Sequence, residues 1–185
     1  SMPLLIALGA NVVLMRQQGK TIAQRELPLE DLYTGYRQNV MAPDEVLAWI
    51  KVPTAVAVER VCVYKVSKRF EDDISAVCLA LNLHIADGVV LRASLGAGGV
   101  AATPMRARQT EAALTGQPWS QATVQQAMRV LRAEFSPISD MRASSAYRST
   151  VLGNLLQRYW LESQGVVQTD LRQLRPLSSA QGVGA

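Results

Sequence analysis

Side chains able to do chemistry concentrate in one short stretch of this sequence. Tyr64 to Cys78, YKVSKRFEDDISAVC, places Lys65, Lys68 and Arg69 beside Glu71, Asp72 and Asp73, between two runs of apolar, β-favouring residues. Two strands meeting at so charged a loop make either a solvated turn or a binding site, and the residue types alone leave both open. A carboxylate couple for acid/base work is not available there, because adjacent Asp72 and Asp73 on extended backbone face opposite sides. Gly96-Ala97-Gly98-Gly99 is the second candidate. Small residues between a strand and a helix start let backbone amides approach a ligand, but they also make tight packing turns, and the spacing is not the GxGxxG dinucleotide fingerprint.

The remaining candidates read first as structure. His84 is the single histidine and sits inside a core-type strand. Cys62 and Cys78 lie in apolar surroundings that suit reduced core thiols and a reducing compartment, for which we expect the cytoplasm. One histidine and no CxxC cannot assemble a zinc or iron–sulfur site. Neither cysteine has a histidine near it in sequence, and no serine occupies a GxSxG elbow, so nucleophilic catalysis has no support. We expect no catalytic residue and no metal ligand in this chain.

The elements that must hold these candidates follow from periodicity. Residues 3–15 are apolar with a Gly-Ala break, which predicts a short helical piece and a strand from Asn11 to Met15; a turn on Gly19 returns Thr21 to Arg25 as a hairpin. A loop with at most one helical turn follows to Tyr36, Ala42 to Glu45 starts a turn or helix, and Val46 to Val52 is a strand closed by Pro53. Residues 53–59 are the expected boundary. Beyond it, Arg60 to Val66, Ile74 to Ile85 and Val89 to Leu95 predict a three-stranded antiparallel sheet, with an Asp87-Gly88 hairpin between the last two. Thr103-Pro104 predicts a helix start in cap-then-proline order, giving a helix from Met105 to Thr115. Ser120 to Phe135 and Arg142 to Ser163 are two further helices, the last with apolar positions at 3.6 spacing. The fold class expected is α+β, with residues 166–185 a polar tail.

Composition limits the functional classes. With 185 residues, 49% of them hydrophobic, the chain can bury one substantial core. The net charge of +4 comes from 19 Lys and Arg dispersed among 15 acids, with no basic stripe, so nucleic acid is not an expected partner. No apolar run reaches the ~18–20 residues that cross a bilayer, so no membrane partner is expected either. The chain starts at full hydrophobic strength, as expected of a start inside a domain.

Taken together, three segments are more specific than their parts. Val66 to Val77 (VSKRFEDDISAV), Gly98 to Ala107 (GGVAATPMRA) and Asp140 to Arg148 (DMRASSAYR), the last followed by Val151-Leu152 and Asn154-Leu155-Leu156, resemble in order and separation the flavoprotein part of molybdenum hydroxylases. The nearest likeness within that family is to the small subunit of bacterial xanthine dehydrogenases. The resemblance implies that residues 1–57 are the end of an FAD-binding α+β domain and 58–165 the C-terminal domain that closes over the flavin. It implies purine hydroxylation at a molybdopterin centre on a partner large subunit, with electrons passing through 2Fe-2S clusters to FAD and on to NAD. It also implies an N-terminal remainder of the same subunit carrying the glycine-rich loops that grip the FAD pyrophosphate; without it the chain is expected to bind FAD poorly and to be inactive. An aldehyde or aromatic-acid oxidoreductase shares the same domain, and a stand-alone interaction domain is the non-enzymatic alternative.

The same resemblance brings Asp73, Ile74 and the turn from Leu95 to Gly99, including Gly98, near the isoalloxazine. Lys68, Arg69 or Arg106 would then stabilise the charge of a reduced flavin, and Ile74 and Leu95 would supply apolar walls. Met105 stands where bacterial relatives tend to carry lysine, which leaves Arg106 as the nearest cation.

Overall fold

Two tight hairpins set the frame. The computed structural model describes residues 1–69 and 74–166. A short helix α1 (Met2–Ala7) leads into β1 (Asn11–Gln18), which turns at Gly19 and pairs antiparallel with β2 (Thr21–Pro28), Gln18 opposite Thr21. The loop expected next contains a single 3-10 turn, Leu29–Asp31, and a small hairpin of β3 (Tyr33–Gly35) with β4 (Gln38–Asn39). At Ala42 to Glu45 the chain makes a turn, held by the Ala42 N–H donating to the Glu45 carboxylate, and β5 (Val46–Lys51) then pairs on the other side of β1.

The second sheet is antiparallel in the order β6 (Glu59–Val66), β7 (Val77–Ala86), β8 (Val89–Gly98), β9 (Met105–Arg106). Asp87 and Gly88 both take left-handed backbone between β7 and β8, at φ of 50° and 73°, as the two-residue hairpin turn requires. The sheet therefore has one strand more than expected, and that strand lies where a helix was predicted. Thr103-Pro104 opens β9 because Met105 and Arg106 pair with Ala97 and Gly96 on the free edge of β8, and the Ala107 N–H donates to the Leu95 carbonyl. The strand edge outweighs the local helix signal. Helix α2 (Arg108–Leu114) begins only afterwards, with Ala107 at its N-cap and no side-chain cap.

Helix α3 (Gln121–Glu134) starts as expected, Ser120 Oγ accepting from the Thr123 N–H. Helix α4 (Ser145–Ser163) starts three residues later than Arg142 because the Asp140 carboxylate draws the Arg142 and Ala143 N–H groups into a turn, leaving Ser144 as the cap. β7 likewise begins at Val77 and not Ile74: the Ala76 N–H closes back on the Val66 carbonyl. The expected tail beyond residue 166 lies outside the described residues.

One core fills the space between the second sheet and the three helices. Leu79, Leu81, Leu83 and Leu95 meet Leu114, Leu131, Leu152 and Leu156, all fully buried. The opposite face of that sheet is covered by α1. An added Cβ on Gly96 would lie 2.0 Å from the Pro3 carbonyl oxygen, and one on Gly98 would lie 3.0 Å from Pro3 Cγ. A smaller core of Ile6, Val12, Leu14, Leu29 and Leu32 sits between α1 and the first sheet. Among the described residues, no helix is long and apolar enough to cross a membrane.

Candidate functional site

Three segments converge on a groove of about 390 Å³. Ile74 and Ser75, just before β7, form one wall; Gly99 and Ala101 to Pro104, between β8 and β9, form the second; Ile138, Asp140 and Arg142, before α4, form the third. Tyr36, from the turn between β3 and β4, reaches the same groove and brings the first half of the chain to a site otherwise built by the second. The lining is apolar at its rim: Ile74, Ile138 and Tyr36 are 54%, 72% and 72% exposed. Next to it a cavity of about 430 Å³ opens between Val66, Lys68, Arg142 and Tyr147, and Arg142 lines both. A larger depression of about 520 Å³ lies beside Val13 and Trp49 on the first sheet alone, and draws no residue from the charged loop or the glycine turn.

Beneath the groove lies Arg148, 2% exposed. Its Nη1 donates to the carbonyls of Ala76 (2.5 Å) and Gly99 (3.0 Å), and its Nη2 donates to Asp140 Oδ1 at 2.6 Å. The Arg142 N–H is the largest influence holding the Asp140 carboxyl below the usual carboxylate range, with the Ala143 N–H and the Arg148 guanidinium adding to it. Gly99 takes left-handed backbone at φ 78°, and an added Cβ would lie 2.2 Å from the Ala76 carbonyl oxygen. Only glycine fits there, on both counts.

The expected site residues divide between this groove and its supports. Ile74 and Gly99 line it. Lys68 lines the neighbouring cavity, its Nζ donating to the Met141 carbonyl at 2.9 Å. Arg69 is the last described residue of that stretch, and Asp73 lies outside the described residues. Leu95 is fully buried in the helical core, where its side chain meets the helices and offers no wall; its N–H donates to Glu111 Oε1. Gly98 packs under Pro3. Arg106 is engaged by carboxylates: its Nε donates to both oxygens of Glu111 at 2.9 and 3.0 Å, and its Nη1 lies 3.4 Å from Glu30. These carboxylates hold the guanidinium pKa above its ordinary value, Glu111 foremost.

Sequence comparison places this geometry. Residues 62–163 match the family described as CO dehydrogenase flavoprotein C-terminal domain, and residues 1–55 match the FAD binding domain in molybdopterin dehydrogenase. This chain belongs to the flavoprotein family of the molybdenum hydroxylases. Among its relatives are a nicotinate hydroxylase of Emericella nidulans, 34% identical over 85% of this chain and 12% of the relative, and the xanthine dehydrogenase/oxidase of Gallus gallus, 31% identical over 71% and 10%. Among solved structures, the carbon monoxide dehydrogenase of Hydrogenophaga pseudoflava superposes with a TM-score of 0.77 at 27% identity, over 85% of this chain and 53% of the other. The flavoprotein chain thus spans about a tenth of the curated relatives it matches and about half of the solved one.

Two residues quoted in the flavoprotein signature, Asp140 and Arg148, have a place at the groove that the sequence did not assign. A signal for Arg148 was present: it falls on the same face of α4 as Leu152, Leu155, Leu156 and Tyr159, a lone cation in an apolar stripe. Tyr36 had no such signal, because its approach to the groove depends on how the two halves pack. At the far end of α4, Tyr64 donates to Glu162 Oε2 at 2.5 Å and burial pushes its phenol upward. Burial likewise pushes the Cys78 thiol upward, and both cysteines are free.

Proposed function

We propose that this chain is part of the FAD-carrying subunit of a xanthine dehydrogenase-type enzyme, and that the groove between Ile74, Gly99 and Ile138 receives the isoalloxazine edge of the flavin. The observation that carries this reading is the groove's construction. Exposed apolar side chains form its rim and small residues its second wall, and the charged group at its base is fixed to protein acceptors, as a planar, largely apolar ring requires. Bound there, FAD supplies the relay between one-electron iron–sulfur carriers and a two-electron acceptor. Ile74 and Ile138 exclude water from the ring, and Gly99 lets the backbone approach it. Lys68, which lines the neighbouring cavity, favours negative charge on the ring, and we assign the same role to Arg69, the next residue in sequence; Asp73 follows four positions later in the chain. Leu95, Gly98 and Arg106 act behind the groove, by packing and by ion pairing.

On this reading residues 1–57 complete an FAD-binding domain with an N-terminal remainder, residues 58–165 close over the flavin, and the chain alone is inactive. The partner is a molybdopterin-binding large subunit that hydroxylates hypoxanthine or xanthine, with 2Fe-2S clusters between the two centres, NAD as final acceptor and the cytoplasm as the compartment. Xanthine dehydrogenases of several eukaryotes among the relatives support the purine. The nicotinate hydroxylase relative, matched over more of this chain, supports a second reading in which the substrate is an aromatic acid. Purification of the complete complex tests both. We expect about one FAD per flavoprotein subunit and NAD-dependent turnover of xanthine; a preparation that holds FAD but turns over only nicotinate selects the second reading, and one that takes up no FAD rejects both.

A further inference from the structure

The three acceptors of Arg148 belong to three segments that do not otherwise share an element. Ala76 ends the lead-in to β7, Gly99 begins the turn after β8, and Asp140 lies in the loop before α4. Each segment is one wall of the groove. A buried cation in that place acts either through its field or through its shape. The field is largely cancelled, because the Asp140 carboxylate accepts from Nη2 at 2.6 Å and the pair presents little net charge to the groove. Shape remains: the guanidinium is a rigid planar fork, whose two ends reach acceptors that a lysine's single ammonium cannot span. Gly99 records independently how closely the fork draws the walls together, since an added Cβ there would lie 3.0 Å from Nη1 as well as against Ala76.

We infer that Arg148 is a positioning residue that fixes the separation of the three groove walls and thereby the seating of the flavin ring. The role rests on reading the groove as the flavin site. It is distinct from charge stabilisation of the ring, and it explains why α4 carries a cation in its buried stripe, with its Nε left without a partner.

The test is Arg148→Lys in the complete flavoprotein subunit, beside Leu131→Ala as a core truncation of α3. We expect hydrogen exchange at the amides of residues 75–77 and 99–103 to accelerate at least tenfold in Arg148→Lys, with FAD affinity at least tenfold weaker and an altered visible circular dichroism band. Leu131→Ala should lower stability while leaving the flavin band and the exchange pattern at these segments close to wild type. Should Arg148→Lys not fold, Asp140→Asn removes one of the three tethers and should loosen residues 138–142 with a smaller loss of FAD affinity. Wild-type exchange in both segments overturns the inference, as does equal loosening in Leu131→Ala, or loosening without any change in affinity or spectrum. A wild-type subunit that binds no FAD overturns the flavin seating through its premise, and the exchange data then still show whether the clamp itself exists.

Discussion

Asp140 shows how a single carboxylate can organise the walls of a groove. It accepts from the Arg142 and Ala143 N–H groups and from Arg148, so it delays the start of α4 and anchors the cation under the groove. Its folded-state pKa is depressed. The unfolded reference is about 3.9, so its stabilising contribution is fully present above that value and is lost as pH falls through the lower folded one. Asp140→Asn should therefore destabilise the subunit at neutral pH and flatten the decline of stability below about pH 4, measured by denaturant melts across that range; an unchanged acid limb would contradict the assignment. The residue types at this scale were legible in the sequence, but their partners were not. Arg148 could be noticed as a cation among apolar positions of α4, a signal that our reading of the sequence did not use, but nothing in the sequence shows that its acceptors are the backbone carbonyls of Ala76 and Gly99, which lie 72 and 49 positions away.

The Asp87-Gly88 hairpin, whose signal is local, was read correctly, while the helix expected from Met105, decided by a neighbouring strand, was not. Asp87-Gly88 specifies its hairpin because two left-handed residues are a backbone property. The cap-and-proline order at Thr103-Pro104 was equally clear, and it was overridden because the free edge of β8 satisfies the Met105 and Arg106 backbone first. That pairing also explains Arg106. As part of a two-residue strand instead of a helix, it meets Glu111 on α2 and Glu30 in the 3-10 turn, and so ties the first half of the chain to the second. Arg106→Ala leaves Glu111 short of its guanidinium partner and should cost about 1–3 kcal/mol of stability in urea unfolding. Arg106→Lys should recover only part of this, because one ammonium cannot replace the fork. A loss under about 0.5 kcal/mol, the range of ordinary surface substitutions, would show that the tie is incidental.

At the scale of the whole molecule, the first half of the chain adds one side chain to a groove that the second half builds. Tyr36 comes from the first and the three walls from the second, while α1 packs Pro3 against Gly96 and Gly98 on the far side of the same sheet. Of the two stretches that drew attention in the sequence, the first contributes Ile74 and Ser75 to the groove and Lys68 to the neighbouring cavity; in the second, Gly99 faces the groove and Leu95 and Gly98 pack behind it. The central claim is that the exposed apolar rim seats a flavin. Ile74 tests it most directly, because it is 54% exposed and a polar substitution there should cost little stability, within about 0.5 kcal/mol. FAD binding by the complete subunit carrying Ile74→Lys should weaken at least tenfold while its unfolding midpoint stays near wild type. Undiminished FAD affinity in a folded Ile74→Lys subunit would contradict the account.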